Sequence, residues 1–154
     1  MRIVVGIDGN ATRDQLLALD RLLTLRRHEL VLVYVHDTGV RGELEFLHER
    51  VLRRGLSGPD LARVEQADAA RAQAIILESE TAARELQAQP RTIVDAGEPG
   101  RVLVAIAADQ QADLVVVAAR SGGLNVRAGP RSLGHAARFV VDHSPCPVLL
   151  LRRG

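Results

Sequence analysis

The side chains in this sequence that could do chemistry are few and scattered. Asp8 closes an apolar run and precedes Gly9, so its carboxylate can either meet a ligand at a strand end or make the turn itself. His36 ends a second apolar run as a polar terminus. Arg120, Arg127 and Arg131 lie in a stretch kept permissive by Gly122, Gly123 and Gly129. Guanidinium groups there can grip phosphate oxygens, or stand as ordinary solvated surface charge. His143 and Cys146 are close in sequence, but no third partner completes a metal or nucleophile set. Every one of the 20 basic side chains is arginine. The absence of lysine excludes a phosphate-loop lysine, a Schiff base and lysine-dependent receiver chemistry.

Composition narrows the classes further. Aromatic residues are 2% of the chain, namely Phe46, Phe139 and Tyr34, too few to stack single-stranded bases. The 20 basic and 19 acidic groups leave a net charge of +1, which gives no field to hold nucleic acid or a membrane surface. One cysteine cannot make an internal disulfide, and the N-terminus has no signal-peptide pattern, so a cytoplasmic setting is expected. No apolar run approaches the ~20 residues that span a bilayer.

The elements that must position these groups follow from hydrophobic patterning. A chain of 154 residues with 47% hydrophobic residues fits one domain. Residues 2–8, 30–36 and 113–119 are β-branched or aliphatic runs of the kind buried on both faces, 91–96 is a weaker strand, and 147–151 is the last. Between them, a helix is expected from Thr12 to about Arg27, with Thr12 and Gln15 as a capping box. A long helix over 61–89 should end at Pro90, and another should open at Pro99 with Val102, Ile106 and Ala107 on one face. A last helix should cover 134–143. Alternating strands and helices predict a five-stranded, mostly parallel sheet with helices on both faces, a Rossmann-like α/β fold. Residues 37–60 interrupt the rhythm with several glycines, and read either as a mobile flap over one end of the sheet or as a structural insertion.

Several segments together resemble the universal stress protein family. IVVGIDGNATRDQLLALDRLL is similar to that family's first strand, Asp-Gly turn and first helix, and LVLVYVHD to its second strand. VDAGEPGRVLVAIAADQQADLVVVAA resembles the third strand, following helix and fourth strand, and LGHAARFVVDHSPCPVLLL the closing helix and last strand. The resemblance leaves out 37–60; its most specific piece is Asp142-His143-Ser144-Pro145-Cys146-Pro147-Val148. It implies strand order 3-2-1-4-5 and an adenine-nucleotide crevice between the first and fourth strands, where the switch-point rule also looks for a ligand.

The resemblance assigns Ile7, Asp8 and Gly9 to the nucleoside end of the crevice, and the backbone of Val35 and His36 to an adenine edge. The family's phosphate loop is Gly, two residues, Gly, nine residues, then Gly with Ser or Thr. Here Ala118 and Ser121 stand at the first two glycines, and either Arg131-Ser132 or Gly134-His135 stands at the third. A β-carbon where backbone approaches phosphate costs space, and His135 cannot replace a small hydroxyl at a helix start. Arg120, Arg127 and Arg131 can restore charge but not close backbone approach. ATP is therefore expected to bind weakly or not at all, with AMP or another small anion as alternatives and no certain cofactor.

Ser121-Gly122-Gly123 is similar to an adenylating-enzyme loop but follows the fourth run instead of the first. No triad or carboxylate pair stands out, so a non-catalytic stress-response module is expected. The resemblance also implies a homodimer through the last strand, where Val148, Leu149, Leu150 and Leu151 form an apolar edge.

Overall fold

A computed structural model of the chain describes residues 1–9, 12–38, 58–119 and 133–152. In chain order it has β1 (Arg2–Ile7), α1 (Thr12–Leu23), a 3-10 turn (Leu25–Arg27), β2 (Glu29–Asp37), α2 (Gly58–Glu85), β3 (Pro90–Gly97), α3 (Pro99–Asp109), β4 (Leu114–Ala118), α4 (His135–His143) and β5 (Val148–Leu151). The five strands form one sheet in the order β3-β2-β1-β4-β5. Every pairing is parallel, with Val5 opposite Leu32 on one side and Val116 on the other. The expected fold class and strand order are those observed. Most of the stretch 37–60 expected to form a flap lies outside the described residues; Asp37 closes β2 and Gly58 opens α2.

Two-sided burial of the central strands explains their unbroken apolar runs. On one face Ile3, Val5, Ile7, Leu30, Leu32 and Val116 pack with Leu16 and Leu19 of α1 and Ala82 and Ala83 of α2. On the other, Val4, Val31, Val33, Val115 and Val117 pack with Leu103, Ile106 and Ala107 of α3 and Ala137 and Val140 of α4. Alternate residues of one strand thus feed two separate aliphatic cores.

Helix ends depart from the sequence expectation for one recurring reason. α1 stops at Leu23 because Thr24 turns left-handed (φ 54°), its N–H meets Asp20 O at 2.8 Å, and Asp20 Oδ1 accepts from Leu25 N at 2.8 Å. α2 stops at Glu85, and Pro90 begins β3 instead of ending the helix. There Gln87 is left-handed (φ 60°) and donates to Arg84 O at 2.9 Å, while Ala88 N reaches Ala83 O at 3.0 Å. Gln111 (φ 49°) and Ala112 repeat this pair of bonds after α3. Both are Schellman closures built without glycine. In α3 the buried face is Gly100, Leu103, Ile106 and Ala107; Val102 is only half-buried.

The two edge strands differ. β3 starts at Pro90, which has no N–H to offer, and Asp95 Oδ1 accepts from Ala96 N at 2.7 Å, so part of that edge is blocked by its own residues. Across the sheet face, the Thr92 hydroxyl of β3 donates to Glu80 Oε1 of α2 at 2.7 Å, and Arg84 donates to Glu80 Oε2 at 2.9 Å. The Thr92 bond, against the opposing effect of burial and with help from Arg84, holds the Glu80 carboxyl below its ordinary 4.5. A depressed folded pKa stabilises the fold above the unfolded value and loses that contribution as pH falls through the folded one. Thr92→Val should therefore cost about 1 kcal/mol near neutral pH. Urea unfolding as a function of pH should show the deficit shrinking below about pH 4; a deficit that does not change with pH would contradict this.

Candidate functional site

At the carboxyl ends of β1, β2 and β4 the chain opens a cleft of about 270 Å³. Pairing between β1 and β4 ends at Val5 and Val116, while β1 and β2 remain paired through Ile7 and Tyr34. The cleft lies over this parting. Its walls are Gly6, Ile7 and Asp8 from β1 and its end, Val33, Tyr34, Val35 and Asp37 from β2, and Val117 and Ala118 from β4. Pro99 and Leu103 of α3 and Ala136 and Ala137 of α4 close the other side.

Most of this lining is neutral and apolar, with Asp8 and Asp37 as exposed carboxylates at the rim. The two helix starts beside it differ. At α3, Glu98 caps its own helix, with Oε1 accepting from Gly100 N at 3.1 Å and Oε2 from Arg101 N at 3.2 Å. That positive end is already occupied by a carboxylate. At α4 the cap is Gly134 (φ 83°), which has no side chain to cap the first turn. The first-turn amides of α4, with the positive end of the helix behind them, are thus presented beside Ala136 and Ala137. Among the described residues no cluster of three His, Cys, Asp or Glu could hold a metal ion.

Of the residues singled out in the sequence, Ile7, Asp8, Val35 and Ala118 come together in this cleft. Gly134 and His135 stand at the start of α4, next to lining residue Ala136. Gly9 sits one residue beyond the lining in a left-handed turn (φ 77°), where an added β-carbon would lie 2.5 Å from Ile75 Cδ1. His36 is not part of the lining; its ring stands edge-on to that of the lining residue Tyr34, with centroids 5.1 Å apart. Arg120, Gly122, Gly123, Arg127 and Arg131 lie outside the described residues. Sequence reasoning missed Gly6, Val33, Tyr34, Asp37, Pro99, Leu103, Val117, Ala136 and Ala137. Only the Pro99 helix start carried a local signal; the others become neighbours through the fold.

His143 and Cys146 serve the closing turn. The His143 ring stacks on Phe139, with centroids 4.1 Å apart, and its Nδ1 lies 3.0 Å from Phe139 O. Ser144 Oγ donates to Cys146 O at 2.8 Å.

This geometry agrees with what the chain resembles. The chain belongs to the universal stress protein family, whose model matches residues 1–152. Among solved structures, the hypothetical protein MJ0577 aligns with a TM-score of 0.72 at 20% identity, covering 99% of this chain and 96% of that one. A universal stress protein family protein from Arabidopsis thaliana with AMP bound aligns with a TM-score of 0.64 at 17% identity, covering 100% and 92%. A universal stress protein in complex with cAMP gives 0.60 at 22%, covering 98% and 95%. At these identities the likeness establishes the fold. No match was found among curated proteins.

One contact holds α3 and α4 together beside the cleft. A β-carbon on Gly100 would lie 2.8 Å from Phe139 Cβ and 3.1 Å from Ala136 O, so α3 and α4 meet there almost backbone to backbone. On Gly6 it would meet only the ends of Leu103, at 3.0 and 3.3 Å, which can turn aside. Gly100→Ala should lower unfolding free energy by about 1–3 kcal/mol. Gly6→Ala should cost less; equal losses in urea titrations of the two variants would contradict this reading.

Proposed function

We propose that this protein is a non-catalytic stress-response module whose crevice takes an adenine mononucleotide and holds a triphosphate poorly. The observation that carries the reading is the cleft at the parting of β1 and β4, flanked by a helix start whose cap residue is a glycine. In the pose we propose, Asp8 meets ribose or base donors, the backbone around Val35 and His36 faces the adenine edge, and the phosphate lies against the amides that follow Gly134. Left-handed Gly134 as the cap of α4 favours the register in which Gly134-His135 stands at the third glycine of the phosphate loop. The AMP and cAMP complexes of structurally similar proteins support a ligand of this size. Ala118 lines the cleft where the family's loop begins with glycine, which works against the closer wrapping that a triphosphate needs.

Calorimetry tests this directly. AMP should bind, and Asp8→Asn should weaken it tenfold or more, equivalent to about 1.4 kcal/mol. MgATP should bind near or above ~100 µM. Tight, Asp8-dependent MgATP binding would contradict the weak-triphosphate reading.

We propose in addition that two copies pair through β5. Pro147 and Leu151 turn their carbonyls to β4, accepting from Val115 N at 3.0 Å and Ala119 N at 2.8 Å. Residues of a strand alternate, so Val148 and Leu150 turn their backbone groups outward. Unlike β3, this edge has neither a proline within the strand nor a side chain bonded to its own edge amide among the described residues. Sedimentation should find a dimer at tens of micromolar, roughly the range of weak association. Leu150→Pro, which removes one outward N–H, should weaken it at least tenfold; a dimer indifferent to that change would exclude this edge.

A further inference from the structure

The start of α1 holds two polar side chains that the fold buries without satisfying. Thr12 is 3% exposed and Gln15 5%, and neither Thr12 Oγ1 nor Gln15 Oε1 has a hydrogen-bond partner among the described residues. The expected capping box does not form. Instead the Gln15 carboxamide turns to β1, where Nε2 donates to Gly6 O at 3.5 Å. Gly6 is the residue just beyond the last β1–β4 pair, and it lines the cleft. Thr12 and Gln15 are three residues apart on one helix and so share a face. Buried polar atoms in folded proteins almost always have partners, and an acceptor left without one costs about 1–3 kcal/mol.

We propose that Thr12 and Gln15 form a small subsite on the α1 side of the parting between β1 and β4, which takes one O–H or N–H donor. The site offers a carboxamide oxygen and a hydroxyl, with the Gly6 carbonyl beside them taking a long bond from Gln15 Nε2. That set is rich in acceptors and carries no charge, so its complement is a neutral donor, not an anion. A donor of this kind has two sources, an internal water molecule or a hydroxyl or amino group of the ligand in the adjoining cleft. The second source rests on the nucleotide reading given above; the first does not.

Two measurements on wild type and on Gln15→Leu separate these sources. Oxygen-17 relaxation dispersion of water, with the protein free of ligand, should show a long-lived internal water in wild type that is lost in the variant. If no such water is present, AMP should bind the variant at least tenfold more weakly than wild type. Thr12→Val gives a second, less disruptive route to either result if Gln15→Leu does not fold. No difference from wild type in water dispersion or in AMP affinity would overturn the proposal and leave Thr12 and Gln15 as packing groups. AMP failing to bind wild type at all would overturn the nucleotide reading, while loss of the water in the variant would still support the subsite.

Discussion

Everything in this molecule depends on where an all-parallel sheet must change direction. Parallel strands can be joined only by crossovers, and crossovers of one hand cover one face. From β1 the chain moves outward through β2 to β3, then returns to the other side of β1 for β4 and β5. The helices of the first half lie on one face and those of the second half on the other. β1 is followed by α1 on one face and β4 by α4 on the other, so the chain leaves their carboxyl ends on opposite sides and a crevice is left between them. The cleft is a consequence of topology before it is a consequence of any side chain.

The aliphatic composition suits this arrangement. With so few aromatic residues the two cores are made of Val, Leu, Ile and Ala, and small residues let α3 and α4 approach closely. Closeness reaches backbone contact at Gly100, which fixes α4 relative to α3 and so fixes the helix start at the cleft. Glu98 then makes the two helix starts unequal, because its carboxylate occupies the positive end of α3 while the cap residue of α4 is Gly134. Polarity within the cleft thus runs from the carboxylates at the ends of β1 and β2 towards the amides of α4.

The strands were legible because two-sided burial writes itself as unbroken apolar runs, as in Ile3 to Val5 and Val115 to Val117, whereas their order came only from the family resemblance. Helix ends were less legible. Thr24, Gln87 and Gln111 take left-handed conformations that carry no sequence signal when the residue is not glycine or asparagine. The capping pattern at Thr12 and Gln15 misled because tertiary structure outcompeted it, offering the carboxamide a backbone carbonyl in β1. Asp8 could be placed from its position at a strand end, whereas Leu103 and Ala136 joined the cleft through packing of helices far apart in sequence.

The most direct test of the account is an NMR titration of the isotopically labelled protein with AMP, following the backbone amides. The largest shifts should fall on Asp8, Val35, Ala118 and Ala136, at the ends of three strands and the first turn of α4. Shifts concentrated elsewhere, along β3 or the outer face of α2, or no shifts at millimolar AMP, roughly the weak limit of specific binding, would contradict it.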